Sequence, residues 1–189
     1  MEMYRKDIQG LLSFLADSPT AFHTADNFAR MLREHGFQLL SERERWNIQP
    51  GGAYYTVRNG SSIIAFRIGS SLEDYSFKIA VSHSDFPTFK LKEKAELSVK
   101  DHYVKLNTEG YGGILCTTWM DRPLSLAGRA ILRDKDGFRE ALVKIDRDLV
   151  LIPSVAIHMN REINEKNSIN KQVDMLPLFA GKASDMEGA

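Results

Sequence analysis

The chain has 189 residues, 43% of them apolar, and its 25 basic side chains balance 25 acidic ones. A chain of this length buries about 70% of its unfolded surface, enough for one large domain or two small ones. Zero net charge argues against nucleic acid and anionic membranes as partners, because both attract a positive protein surface.

Two amphipathic helices open the chain. Apolar residues recur at three- and four-residue spacing in both, and the second helix is predicted to end at Gly36. Ser18 is the expected N-cap of that second helix, since Pro19 suits a first helical position. No apolar run reaches the roughly 20 residues of a membrane span, and the first residues lack the apolar core of a signal peptide. We therefore expect a cytoplasmic protein.

Short β-rich runs follow the helices. The runs Ala53 to Arg58 and Ile63 to Ile68 flank Asn59-Gly60, which is the strongest short signal for a β-hairpin. Phe77 to His83 alternates and then becomes apolar, which predicts a largely buried strand. Further β-rich runs continue to about Ile157, and the chain ends in a small, polar tail at 182–189. The sequence thus indicates an α/β fold.

His83 and Asp85 stand two residues apart at the end of the predicted strand, so their side chains should project from the same face. An aspartate in that place can orient the imidazole while the other ring nitrogen binds a metal ion. Any such metal must be held by His, Asp and Glu, because Cys116 is the single cysteine. An isolated His-x-Asp is nevertheless more often an ordinary strand-end histidine beside a surface aspartate.

Two later segments also carry candidate residues. Asp121 and Arg122 are expected to form an ion pair at the turn before Pro123. His158 ends an apolar run, where a histidine packed in the core or exposed at the surface is the default interpretation.

Four segments together resemble the M18 family of zinc aminopeptidases, the aspartyl aminopeptidases. Their order and spacing match from about Tyr4 to Phe179. The segments are Ser82-His83-Ser84-Asp85-Phe86-Pro87, Tyr111-Gly112-Gly113, Trp119 with Asp121-Arg122-Pro123-Leu124-Ser125-Leu126-Ala127-Gly128-Arg129, and Ile152-Pro153-Ser154-Val155-Ala156-Ile157-His158-Met159.

The resemblance implies a peptidase that removes N-terminal residues, preferentially acidic ones, with two zinc ions per complete active site. It implies that His83 is a metal ligand, that Asp85 orients it, and that His158 reaches the active site of a partner subunit. Residues 1–87 would form the N-terminal part of the α/β zinc-peptidase domain, and residues 88–189 a β-rich dimerisation domain. The expected partners are a peptide substrate and at least one further copy of the chain.

Two features depart from the family pattern. Phe86 stands where the family usually has a small residue. The bridging aspartate, the catalytic glutamates and the remaining ligands of the family have no counterpart in these residues. The chain is therefore either an N-terminal piece of a longer enzyme or a shortened relative, and alone it should have very low activity. The alternative function is a non-catalytic module that dimerises or assembles with a complete peptidase.

Overall fold

The computed structural model describes residues 2–71, 73, 76–135, 137–166 and 168–181, so the predicted polar tail lies outside the described residues. The chain forms two compact units. The first comprises Met1–Phe86 and Ala127–Lys144, and the second comprises Pro87–Leu126 and Ile145–Ala189.

Helices and strands mix along the chain, which confirms the α/β class. A short 3-10 helix spans Cys116–Trp119. The remaining elements are α1 (Glu2–Asp17), α2 (Ala21–Glu34), β1 (Gln38–Leu39), β2 (Ala53–Arg58), β3 (Ser62–Arg67), β4 (Thr88–Val99), β5 (Tyr103–Tyr111), β6 (Pro123–Leu124), β7 (Ala127–Asp134), β8 (Gly137–Lys144), β9 (Val150–Leu151) and β10 (Leu178–Gly181). Neither described helix has the length and apolarity needed to cross a bilayer.

The predicted hairpin is present in the first unit. Strands β2 and β3 pair antiparallel from Ala53↔Arg67 to Arg58↔Ser62, and β1 adds to β2 in parallel. Asn59 and Gly60 connect them with φ angles of 53° and 64°. Both angles lie in the left-handed region that asparagine and glycine tolerate best, which is why this dipeptide marks the turn so reliably.

The N-cap of α2 is Thr20, so the prediction of Ser18 is wrong by two residues. The Thr20 hydroxyl accepts a hydrogen bond from the backbone N–H of His23, and Thr20 has an extended backbone with φ −147°. Ser18 is instead buried, and its hydroxyl accepts a hydrogen bond from Asn27 Nδ2 at 3.1 Å. Ser18 and Thr20 are both residue types that cap helices, so the sequence alone does not show which of them is the N-cap.

Replacing Thr20 with alanine should lower the free energy of unfolding by about 1 kcal/mol, because one helical N–H loses its acceptor. Urea unfolding of the variant measures this loss. Thr20→Ser keeps the hydroxyl and should unfold close to the wild type; equal destabilisation by both substitutions would contradict the capping role.

The hairpin of β7 and β8 packs against the rest of the first unit through Arg129. The Arg129 guanidinium donates to the carbonyl of Asn59 at 3.0 Å and to Glu140 Oε1 at 3.2 Å, and it stacks over the Phe22 ring at 4.1 Å. Because its side chain is only 19% exposed, these contacts are partly shielded from water.

The first segment of the first unit ends at Phe86, one residue before the end of the predicted domain 1–87. The hairpin at 127–144 lies within the predicted second domain, but its contacts place it with the residues before Pro87. The assignment of 88–189 to one dimerisation domain stays a prediction.

The segment 76–83 forms no strand, so the prediction of a largely buried strand at Phe77 to His83 is wrong for this chain. Phe77, Ile79 and Val81 are 79%, 78% and 88% exposed. A strand gains its stability from neighbouring strands and from a covered face. No described strand pairs with this segment, and its apolar pattern alone therefore does not produce a strand.

The second unit contains an antiparallel sheet of five strands in the order β4-β5-β10-β9-β6. Its two longest strands, β4 and β5, pair from Thr88↔Tyr111 to Val99↔Tyr103, with an irregularity between Leu91 and Glu96. The fully or nearly fully buried apolar residues of the unit are Leu106, Val150, Ile152 and Met175.

Candidate functional site

The segment that carries His83 is attached to the hairpin of the first unit. Ser84 Oγ donates a hydrogen bond to the carbonyl of Ser61, at the turn between β2 and β3, at 2.9 Å. This bond joins residues 23 positions apart in the chain. It fixes the middle residue of His83-Ser84-Asp85 at the end of the hairpin.

His83 and Asp85 contact each other, as their spacing predicted. His83 Nδ1 lies 2.6 Å from the Asp85 carbonyl oxygen and 3.1 Å from Asp85 Oδ1. The neutral tautomer with its proton on Nδ1 donates to both oxygens, which leaves the Nε2 lone pair available. The His83 side chain is 80% exposed. This is the arrangement in which an aspartate orients a metal-binding histidine.

The donor set around this pair is incomplete for a catalytic zinc ion. In the part of the chain that the structure describes, no three side chains of His, Cys, Asp or Glu lie close enough together to hold a metal ion. A catalytic zinc site generally takes three protein ligands. The described residues therefore fit one ligand and its orienting carboxylate, and we derive no reaction step through the metal from them.

His158 lies in an exposed turn of the second unit. The backbone N–H of Met159 donates to the Ala156 carbonyl at 2.8 Å, and that of Asn160 donates to the Ile157 carbonyl at 3.2 Å. Apolar side chains flank the histidine and face solvent, with Ile157 46% and Met159 79% exposed. An imidazole on such an exposed loop is free to contact another molecule.

Asp121 does not form the expected ion pair with Arg122. Asp121 Oδ1 accepts a hydrogen bond from the Ser154 backbone N–H at 2.9 Å, and Oδ2 accepts one from the Ser154 hydroxyl. Arg122 donates to the Thr118 carbonyl at 3.3 Å instead. Asp121 and Ser154 lie 33 residues apart in the sequence, and no short motif predicts that they pair.

The hydrogen bonds from Ser154 lower the pKa of Asp121 below its ordinary value of 3.8, the hydroxyl bond contributing most and the backbone bond next. A carboxyl whose pKa is lower in the folded state stabilises that state fully above its unfolded pKa. The stabilisation is lost as the pH falls through the folded pKa. The stabilisation from the contact between Asp121 and Ser154 is therefore present at neutral pH.

Gly112, in the segment Tyr111-Gly112-Gly113, has a left-handed backbone conformation. Its φ is +77°, and a Cβ there would lie 3.5 Å from the Cα of Pro87. The positive φ is the conformation that glycine adopts without steric cost. This residue therefore serves the backbone turn that follows β5.

A cavity of about 640 Å³ opens beside α2 in the first unit. Its wall includes Tyr55, Arg58 and Arg129, whereas His83 and Asp85 do not line it. The bidentate contact between Arg58 and Glu42 lies at this cavity, with the shortest N–O distance at 2.6 Å. The candidate chemistry of the first unit is thus at its exposed surface and not in this cavity.

The fold is that of an α/β protein, and His83 and Asp85 contact each other at its surface. The family model described as "Aminopeptidase I zinc metalloprotease (M18)" matches residues 14–188. The chain belongs to the M18 family of aminopeptidases. This confirms the resemblance that the sequence motifs indicated.

Individual relatives agree with the family model. A "Probable M18 family aminopeptidase 2" of Clostridium novyi is 46% identical over 172 residues, which cover 89% of this chain and 40% of the relative. A chain in the cryo-EM structure of the Ape4 and Nbr1 complex is 39% identical with a TM-score of 0.88, and the match covers 96% of this chain and 35% of that one.

The mApe1 dodecamer of S. cerevisiae is 26% identical, with a TM-score of 0.74, and the match covers 96% of this chain and 40% of that chain. This chain thus spans about 40% of the length of the Clostridium and S. cerevisiae relatives.

Proposed function

We propose that these residues serve a metal-dependent aminopeptidase that removes N-terminal, preferentially acidic, residues from peptides in the cytoplasm. The observation that carries this proposal is the contact between His83 and Asp85, which leaves one imidazole nitrogen for a metal ion. Membership of the M18 family supplies the reaction class. The preference for acidic residues is taken from the family resemblance.

The proposal gives each candidate residue a separate role. His83 is a zinc ligand, Asp85 fixes its tautomer and orientation, and His158 acts at the active site of a partner subunit. Zinc, when bound, supplies a polarised water molecule for hydrolysis. The complete site in this proposal holds two zinc ions, and its other ligands lie outside the residues that the structure describes.

A zinc titration of the 189-residue chain tests the proposed ligand. One imidazole does not offset the dehydration of a divalent cation, so we expect weak, substoichiometric binding, which His83→Ala reduces further. His102→Ala is the matched control, because His102 is also an exposed histidine. Calorimetry and metal analysis after dialysis measure both. Two equivalents bound with submicromolar affinity would mean that the chain contains a ligand set not recognised here.

The alternative function is a non-catalytic module that assembles with a complete peptidase. The incomplete donor set among the described residues favours it. Peptidase activity separates the two functions: a chain extended to the full length of its relatives should hydrolyse an N-terminal glutamyl or aspartyl substrate, and His83→Ala should abolish this. If the extended chain is inactive but assembles with an active relative, the module is the correct function.

Both functions include self-association through the residues after Pro87. Short strands leave unpaired edges and an incompletely buried apolar face, and a second copy can cover both. The similarity to a relative described as a dodecamer supports a homo-oligomer. Sedimentation at micromolar concentration should therefore give at least a dimer. A monomer across that range would contradict this part of both proposals.

A further inference from the structure

Asp121 is bound to the strand end that precedes the His158 loop by three hydrogen bonds. Its carboxylate accepts from the backbone N–H and from the hydroxyl of Ser154. Its own backbone N–H donates to the Ile152 carbonyl at 2.9 Å. One side chain and its peptide group thus hold residues 152–154, and we call this contact the Asp121–Ser154 clamp.

The backbone conformation of Asp121 depends on the hydrogen bonds of the clamp. Asp121 has a φ angle of +54°, in the left-handed region. This conformation is unfavourable for any residue other than glycine. Such a conformation persists where surrounding contacts determine it. The hydrogen bonds to Ser154 and Ile152 are those contacts, and aspartate is one of the few residue types that accept both demands.

The clamp lies at the point where the ordered sheet ends. Ile152 is fully buried and bridges to Met120, next to the pairing of β6 with β9. Beyond Ser154 the chain leaves the sheet, and Val155 and Ile157 are 53% and 46% exposed. In the described part of this segment, Ser154 is therefore the last residue tied to the sheet before His158.

We propose that Asp121 is a positioning residue for His158: the clamp fixes the base of the loop from which the imidazole reaches another subunit. This inference rests on the role proposed for His158. A loop anchored four residues before its functional group allows fewer positions of that group than a free one. A misplacement of about 1 Å can cost an enzyme about 100-fold in rate, so the anchor has a catalytic effect without touching substrate.

The test uses Asp121→Asn in an active enzyme that contains these residues at full family length. Asparagine tolerates the left-handed backbone and keeps one oxygen for the Ser154 N–H, but it replaces the charge-assisted bond from the Ser154 hydroxyl to a carboxylate with a weaker bond in which the amide N–H donates to that hydroxyl. Ser154→Ala removes this hydrogen bond completely. Ser154→Thr restores a hydroxyl and is the conservative rescue.

We expect Asp121→Asn and Ser154→Ala each to lower kcat about tenfold, with KM changed less than about threefold and Ser154→Thr close to wild type. The decisive measurement is the double variant. If the clamp acts through His158, Asp121→Asn changes the residual rate of His158→Ala less than about twofold.

Limited proteolysis gives a second measurement that does not depend on activity. In the 189-residue chain, Asp121→Asn should increase the rate of tryptic cleavage after Arg161, which follows the loop. Cleavage after Arg133, in the exposed hairpin of the first unit, should not change. An unchanged rate at Arg161 would show that the clamp does not restrain the loop.

The outcomes separate this inference from the proposed function. If His158→Ala leaves kcat unchanged, the role of His158 fails, and the positioning role of Asp121 fails with it. If His158→Ala lowers kcat but Asp121→Asn does not, or if their effects multiply in the double variant, only the positioning role is overturned.

Discussion

Replacing His158 with alanine in an active, full-length enzyme is expected to lower kcat at least about 100-fold, the usual loss when a group acting at the reacting centre is removed. The melting temperature should change by less than about 2 °C, because the side chain is exposed and residues before it are anchored independently of the imidazole. Peptidase kinetics and a thermal melt of the same preparation measure the two quantities.

His102→Ala is the matched control for that experiment, since His102 also lies in an exposed turn of the second unit and has no proposed role. It should leave turnover unchanged. A large drop in melting temperature for His158→Ala at unchanged turnover would show that the histidine serves the fold and not the reaction.

The largest expected effect on stability comes from Ile152→Ala. Ile152 is fully buried beneath the short strands of the second unit. Removing three carbon atoms from such a site costs the transfer free energy plus the cavity left behind, together about 2–5 kcal/mol. We expect urea unfolding to show a loss of free energy in that range.

The two tryptophans make this measurement specific, because Trp46 lies in the first unit and Trp119 in the second. In a Trp46→Phe background the fluorescence reports the second unit alone. Val155→Ala is the control, since Val155 is 53% exposed, and it should cost less than about 0.5 kcal/mol. A loss below about 1 kcal/mol for Ile152→Ala would show that the site is less well packed than its burial indicates.

Features that depend on neighbouring residues were predictable from the sequence. The turn at Asn59-Gly60 forms because those two residues tolerate left-handed angles, and the contact of His83 with Asp85 follows from their spacing. The N-cap was misplaced because Ser18 and Thr20 are both suitable residue types, and only the local path of the chain distinguishes them.

Features that depend on distant residues were not predictable. Phe77 to His83 has the pattern of a buried strand, but the pattern does not supply the neighbouring strands that would cover it. Asp121 stands beside Arg122 in sequence, yet its partner is Ser154, 33 residues away. Propensity and spacing describe what a segment is able to form, whereas these contacts depend on which other segments fold against it.

The position of the hairpin at 127–144 has a consequence for synthesis of the protein. The polypeptide passes from one compact unit to the other after residue 86, returns after 126 and leaves again after 144. The first unit therefore cannot complete its packing on the ribosome until Lys144 has emerged, because Arg129 and Glu140 contribute to it. By then Pro87–Leu126 has already been synthesised. It must either remain unfolded or form temporary contacts until the rest of the second unit follows. Neither unit corresponds to a continuous stretch of sequence, so a clone of residues 1–86 encodes only part of the first unit.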